Sequence, residues 1–177
     1  MRVVAGELRG RKLASPPRGA DVRPTADRVR EALFSILGDV AGTRVLDLYC
    51  GTGALAIEAL SRGAATAVLV DRDVALAESN VAGLGLGERC RLVRSDALNF
   101  LVRDDGAYDL IFADPPYSLA DRLEGKLESL VAPRLAKGGR LIVESAARRP
   151  LVLDLPLIDR RDYGATAISI HGAPEPG

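Results

Sequence analysis

The segment Asp114-Pro115-Pro116-Tyr117 closes the apolar run Leu110-Ile111-Phe112-Ala113. Turns are usually built from Gly, Asn and Ser. This one is stiff and carries a charge. Its chemistry suits methyl transfer to a planar amine. The lone pair of an exocyclic nucleobase amine is delocalised into the ring, so the nitrogen must move toward tetrahedral geometry before it can attack. Acceptors aimed at its two N–H bonds favour that change. The Asp114 carboxylate is one acceptor and the Pro115 carbonyl a second. Proline contributes no competing N–H, and its fixed φ holds the corner before substrate arrives. Tyr117 can stack on the base. The competing reading is a plain Pro-Pro turn capped by Asp114. A glycine-rich turn elsewhere in the chain weighs against it.

That turn is Gly51-Thr52-Gly53-Ala54-Leu55-Ala56, which fits G-x-G-x-x-A, and Asp71 follows 18 residues after Gly53. The pattern suits a dinucleotide, with backbone approaching the ligand closely and a later acid on ribose hydroxyls. It equally suits S-adenosylmethionine, whose adenosine also carries a ribose diol. Two features favour the latter. Asp47 lies four residues before Gly51, where a carboxylate would repel a pyrophosphate but can receive an amino group. Asp96 can accept from an adenine amine, with the Ala97 N–H meeting a ring nitrogen. Tyr49 and Arg72 complete this candidate cofactor group. Taken singly, Asp96 could merely cap a helix and Asp71 could be a strand-end acid. Alignment of N, CH3 and S is then the main remaining task. Neither a metal nor a covalent nucleophile is needed.

These residues must be held by a frame, and the pattern around them supplies one. The spacing predicts strands at 44–49, 65–71, 89–96, 108–114 and 140–145. Helices are expected over 54–61, from an Asp73 cap to Leu84, through Leu101, and over 119–132. A turn falls at Gly138-Gly139. Alternation of strand and helix argues for a parallel sheet covered on both faces, with ligands beyond the C-terminal strand ends. Two closing strands, 156–164 and 166–172, meet at a tight turn at Tyr163-Gly164 and add antiparallel pairing. The expected fold is a Rossmann-like α/β domain over 41–172, with a frayed tail at 173–177. Residues 1–40 form an N-terminal extension packed on it. Residues 2–14 of that extension read as a short hairpin broken by Gly6 and Gly10, and 15–23 as a loop. A helix capped by Thr25 follows, with Val29, Ala32, Leu33, Ile36 and Leu37 as its apolar stripe, ended by Gly38.

Composition narrows the class further. A chain of 177 residues suits one domain. No apolar run reaches the ~18 residues of a membrane span, and the basic N-terminus lacks the apolar core of a secretory signal. A cytoplasmic protein is expected. Cys50, Cys90 and the single His171 are too few for a disulfide framework or a zinc site; His171 reads as a strand-end residue. Net charge is zero, but residues 1–37 hold eight basic residues against four acids, leaving 16 against 20 in the rest. A basic arm on an acidic body suggests a polyanionic partner. Arg9, Arg11, Lys12, Arg23, Arg28 and Arg30 are the candidate residues for binding it. Few aromatics are available for stacking, so recognition by shape and charge is expected.

The Asp-Pro-Pro-Tyr corner is similar to the [D/N/S]-P-P-[Y/F/W] motif of S-adenosylmethionine-dependent methyltransferases acting on exocyclic amines. The stretches RVVAGELRGRKL, RPTADRVREALFSIL, VLDLYCGTGALAIEALSRGA and DLIFADPPY resemble the RsmD family across Arg2 to about Ile170. Residues 23–31 are the most family-specific. The resemblance implies a class I methyltransferase with a seven-stranded, mostly parallel sheet and an antiparallel last strand. It implies methylation of the N2 amine of one guanine in small-subunit (16S) ribosomal RNA, by a monomer acting on the subunit or its assembly intermediate. Asp114 to Tyr117 would hold the guanine amine. Asp47 to Gly53, Asp71 and Asp96 would hold the cofactor. Other readings are a DNA adenine-N6 methyltransferase, which also uses Asp-Pro-Pro-Tyr but usually carries an added recognition domain, and a glutamine-N5 methyltransferase, which favours Asn-Pro-Pro-Tyr. A non-enzymatic assembly factor on the same fold is a further reading.

Overall fold

The structure, a computed structural model, describes residues 1–16, 27–115 and 120–174, without the side chains of 120–124. Its centre is one seven-stranded sheet of order β3-β2-β1-β4-β5-β7-β6. The strands are β1 (Arg44–Leu48), β2 (Thr66–Asp71), β3 (Cys90–Arg94), β4 (Tyr108–Ala113), β5 (Leu135–Ala146), β6 (Leu157–Tyr163) and β7 (Thr166–Gly172). β1 to β5 pair in parallel, and β7 runs antiparallel to both β5 and β6. The chain moves outward from β1 to β3, then returns to place β4 on the other side of β1. That reversal opens a crevice beyond the ends of β1 and β4, where ligands bind in open α/β sheets.

Both faces are covered. Helices α1 (Asp27–Leu37), α2 (Ala54–Ser61) and α3 (Ala75–Gly83) pack on one, with the arm residues Val3 and Leu13. Helices α4 (Ala97–Arg103) and α5 (Ala120–Val131) cover the other, with Leu151, Leu153 and Leu155. Alternation along each strand decides where its acids point. Val45, Phe112 and Ile142 face the α2 layer, while Leu46, Leu48, Ile111, Leu141 and Val143 face the α4 layer. Asp47, Asp114 and Glu144 keep the parity of the first set, two residues further on, so side chains of period two direct all three to the α2 side.

Several local expectations are revised. The α1 stripe is Arg30, Leu33, Phe34 and Leu37, while Ile36 is exposed. Phe34 meets the Phe112 ring at 6.0 Å between centroids, and the Arg62 guanidinium lies 4.8 Å above the Phe34 ring. Asp73 is not the N-cap of α3. Val74 takes that position, and the Asp73 carboxylate accepts from the Ala75 amide at 3.1 Å. Gly138-Gly139 is a bulge inside β5 rather than a turn before it, because the pairing shifts between Tyr108 with Leu135 and Leu110 with Arg140. His171 is buried in β7, its ring held by the Leu155 carbonyl and the Ser169 hydroxyl. Pro116, Tyr117, Arg23 and the Thr25 cap lie outside the described residues, as do residues 17–22 of the predicted loop and 175–177 of the tail.

The arm reads as a hairpin with a single Arg2–Lys12 bridge. What fixes it is the outer side of α2. Glu58 is buried, and its carboxylate accepts from the amides of Val4 at 2.8 Å and Ala5 at 3.0 Å. The Ser61 hydroxyl accepts from the Leu8 amide and donates to the Ala5 carbonyl. Gly6 has φ 81°, and a Cβ there would stand 1.8 Å from the Ser61 carbonyl oxygen, so only glycine permits this approach.

Candidate active site

The crevice is built from the chain between β1 and α2. Tyr49, directly after β1, has φ 60° and is the only non-glycine residue with positive φ among the described residues. Left-handed backbone at a bulky residue costs energy and persists only where the surroundings impose it. Here the Cys50 amide donates to the Val70 carbonyl at 3.1 Å, and the Gly51 amide donates to Asp71 Oδ2 at 2.8 Å. The Gly53 amide closes the turn on the Cys50 carbonyl at 2.7 Å. Gly53 itself has φ 75°, and a Cβ there would come within 2.7 Å of Leu69 Cδ2. The α2 N-terminus follows at once, its Ala56 amide reaching back to Asp47 Oδ2 at 3.1 Å.

Asp47 is buried beneath this turn. Burial is the main cause lifting its pKa to about 7. The Ala56 hydrogen bond opposes the rise and the Asp71 charge adds to it. Such a carboxylate is poised for a cationic partner, whose charge would offset its desolvation. Asp71 has two backbone partners, since its Oδ1 also accepts from the Asp73 amide at 3.2 Å. It therefore braces the glycine turn from β2. Asp96 accepts from the Leu98 and Asn99 amides as the N-cap of α4, and its Oδ2 pairs with Arg72 at 2.5 Å. Partial burial pushes its pKa up, but these hydrogen bonds and the Arg72 charge hold it below the usual carboxylate range. The helix-cap role considered for Asp96 is thus present. Ala97 is buried behind it. Tyr49 stands among Asp96, Arg72 and Asp71, its phenol pushed up to about 12, first by burial and then by Asp96.

Asp114 follows β4 next to the Leu48–Ala113 pair, with Pro115 buried behind it. Its pKa rises to about 8, through burial first, then the charges of Glu144 and Asp47. Asp114 is half-buried, and its charge acts with those of Glu144 and Asp47. Glu144 is a residue that sequence reasoning missed. It follows the Ala113–Val143 pair on β5, a register that brings it beside Asp114. Asn80 of α3 was also missed. Its buried amide donates to the Thr52 carbonyl within the glycine turn at 2.9 Å. The thiol of Cys50 is pushed up by burial and by the Asp47 and Asp71 charges, so it is not a nucleophile at neutral pH.

The arm cations divide into two groups. Arg30 is fully buried; its guanidinium donates to the Arg2 carbonyl and to Asp27 Oδ1. This removes it from the candidate RNA-binding surface, because it holds α1 against the arm. Arg11 is exposed and donates to the Gly83 carbonyl at 3.3 Å. Arg9, Lys12 and Arg28 are exposed, and their side chains have no partner among the described residues. Arg9 and Arg28 line a cleft of about 390 Å³ between the arm and α1, with Arg2, Asp27 and Glu31.

Comparison with known proteins adds a family. Residues 1–172 match the family described as Conserved hypothetical protein 95. YlbH of Bacillus subtilis (strain 168) is 34% identical over 186 residues, covering 97% of this chain and 98% of its own. Ribosomal RNA small subunit methyltransferase D of Escherichia coli (strain K12) is 42% identical over 121 residues, covering 66% of this chain and 60% of that protein. Among solved structures, yhhF from Escherichia coli superposes with a TM-score of 0.83 at 34% identity, covering 98% of this chain and 97% of that one.

Proposed function

The chain belongs to this family, the RsmD family of methyltransferases, and from that premise we propose that it methylates the exocyclic N2 amine of a guanine in small-subunit ribosomal RNA, with S-adenosylmethionine as donor. The observation that carries the reading is the placement of Asp114. It stands at the β1–β4 switch point, half-buried, close enough to Asp47 for the two charges to interact. An amine acceptor and a receptor for an ammonium group share one crevice, beside a turn that only glycine can form.

The residues present fit the donor. Gly53 lets the turn keep φ 75° against the core side chain of Leu69, and Asp47 offers a buried carboxylate that would receive the amino group of the methionyl part. Asp71 and Asp96, at the ends of β2 and β3, would hold the ribose and adenine. Tyr49 and Arg72 flank these two acids. When bound, the donor supplies an electrophilic methyl group on a sulfonium. The chain's part is alignment and charge. Asp114 and the Pro115 carbonyl accept from the two amine hydrogens, drawing the nitrogen lone pair out of conjugation, and Tyr117 stacks on the base. Fixed acceptors contribute most when they need not reorganise, and the corner after β4 is braced by a buried proline. Exposed Arg9, Lys12 and Arg28, with Arg11, bind RNA phosphates. That binding energy offsets the few kcal/mol of turning a base out of its stack. The substrate is the subunit or its assembly intermediate, and the enzyme acts as a monomer.

Incubation with unmodified small subunits and radiolabelled donor tests this. The expected result is one labelled N2-methylguanosine, absent with Asp114→Ala. Label on adenine, or on no nucleoside while the donor still binds, would refute it.

A further inference from the structure

The glycine turn is not held by the sheet alone. Asn80, buried on α3, uses its single side chain on two segments far apart in sequence. Nδ2 donates to the Thr52 carbonyl at 2.9 Å, at the centre of the turn, and to the Ala14 carbonyl of the arm at 3.2 Å. Oδ1 accepts from the Ala14 amide at 2.7 Å. The pair of bonds to Ala14 is reciprocal, so the arm backbone fixes the plane of the amide and thereby which way Nδ2 points. A carbonyl in the same orientation cannot serve the Thr52 oxygen, which needs a donor. The Thr52 carbonyl therefore has its partner only while Asn80 is held in this rotamer.

We propose that Asn80 is a positioning residue through which the N-terminal arm shapes the donor-binding turn, so that arm docking and donor binding favour each other. This rests on the reading of the turn as the S-adenosylmethionine site. The arm itself needs no contact with the donor. Its docking also uses Glu58 and Ser61 on the outer side of α2, Arg30 of α1, Arg89 and the Gly83 carbonyl, none of which bonds to the turn. Among the described residues, Ala14 is the one that links it to the turn through a single intervening side chain. A ligand that favours the ordered turn must then favour the docked arm by the same factor, since coupling between two equilibria is reciprocal.

The test uses the full-length protein and S-adenosylhomocysteine, with no RNA. Ala14→Pro removes one N–H from the Asn80 pair and leaves the turn's own residues intact. Its affinity for S-adenosylhomocysteine is expected to fall on the order of tenfold, the loss of about one hydrogen bond's worth of order. Asn80→Ala is expected to fall at least as far. The double variant should be no worse than Asn80→Ala, because the arm acts through that amide. Donor KM should rise in both with kcat little changed. Unchanged affinity in Ala14→Pro, or full additivity, would overturn the proposal. Should either variant lose its fold, the wild-type protein decides. Added S-adenosylhomocysteine is expected to slow hydrogen exchange at the Ala14 amide, and unchanged exchange there would overturn the proposal. If wild-type protein does not bind S-adenosylhomocysteine at all, the reading of the turn has failed instead.

Discussion

Asp47 and Asp114 lie on either side of the β1–β4 boundary, one residue to each side of the Leu48–Ala113 pair, and the charge of the first raises the pKa of the second. Two carboxylates lifted to about 7 and about 8 are costly in the ligand-free protein. Native protein binds more protons than unfolded chain, whose aspartates titrate near 3.9. Stability from this pair is thus greatest below about pH 4 and falls as pH rises toward 8. The melting temperature of ligand-free protein should decline between pH 5 and 8.5, and Asp47→Asn should flatten that decline. An equal slope in both proteins would show that the pair is not strained.

Ligand binding at Asp47 should release a proton. A bound ammonium lowers the carboxyl pKa from about 7, so below neutrality the complex forms with loss of up to about one proton. Affinity for S-adenosylhomocysteine should rise with pH and level off above about 7. Calorimetry in buffers of different ionisation enthalpy measures this directly. The release should vanish in Asp47→Asn.

Asp114 should set the rate. Ala at this position removes an acceptor aimed at the reacting amine, and the expected loss in kcat is ~10²–10³. Asn keeps one acceptor oxygen without the titration. The rate of the parent enzyme should rise with pH through the region of about 8. Asp114→Asn should be slower and flat across it, as a pH profile of kcat/KM on subunits will show.

Much of this was legible from spacing. Acids placed just after apolar runs fall in one crevice because parallel strands end together, and the glycine pattern fixed the first of those ends. The division of labour among the acids was not legible. Asp71 spends an oxygen on the Gly51 amide and Asp96 spends one on the N-terminus of α4, bonds that depend on how strands pair. Glu144 was hidden because its neighbour in space, Asp114, is 30 positions away in sequence. Two signals were present but unread. Glu58 is the lone charge of the helix Ala54–Ser61, apolar but for Ser61 at its end, and such a charge needs a partner. Arg30 shares a helical face with Leu33 and Leu37 and could not also face RNA. Counting it as part of a charged arm ignored the 3.6-residue period.

The two groups of arginine should separate by experiment. Ala at Arg9 and Arg28 removes exposed charges beside the cleft, so RNA affinity should drop and the slope of log K against log salt should become shallower by roughly one to two. The melting temperature should hold. Arg30→Ala should do the reverse. It leaves the Arg2 carbonyl and Asp27 without their buried donor, costing on the order of 2–4 kcal/mol of stability, with the salt slope unchanged. Filter binding across a salt series, with thermal melts on each protein, decides between them.

Gly53→Ala tests the turn itself. Two penalties act together. The residue has φ 75°, where an L side chain costs about 1–2 kcal/mol, and the new methyl would lie 2.7 Å from Leu69 Cδ2, with Ala77 Cβ at 3.4 Å. Leu69 is fully buried on β2 and cannot swing into solvent. The backbone must give instead, and it carries the Gly53 amide away from the Cys50 carbonyl and the Thr52 carbonyl away from Asn80. Donor affinity should fall at least tenfold, with a smaller loss of stability, since the sheet on either side keeps its pairing. Gly85→Ala is the control. It also has positive φ, but its Cβ would meet nothing within 4 Å, so it should lose some stability and keep full affinity. If both variants bind S-adenosylhomocysteine like the parent, close backbone approach at residue 53 is not what the ligand requires.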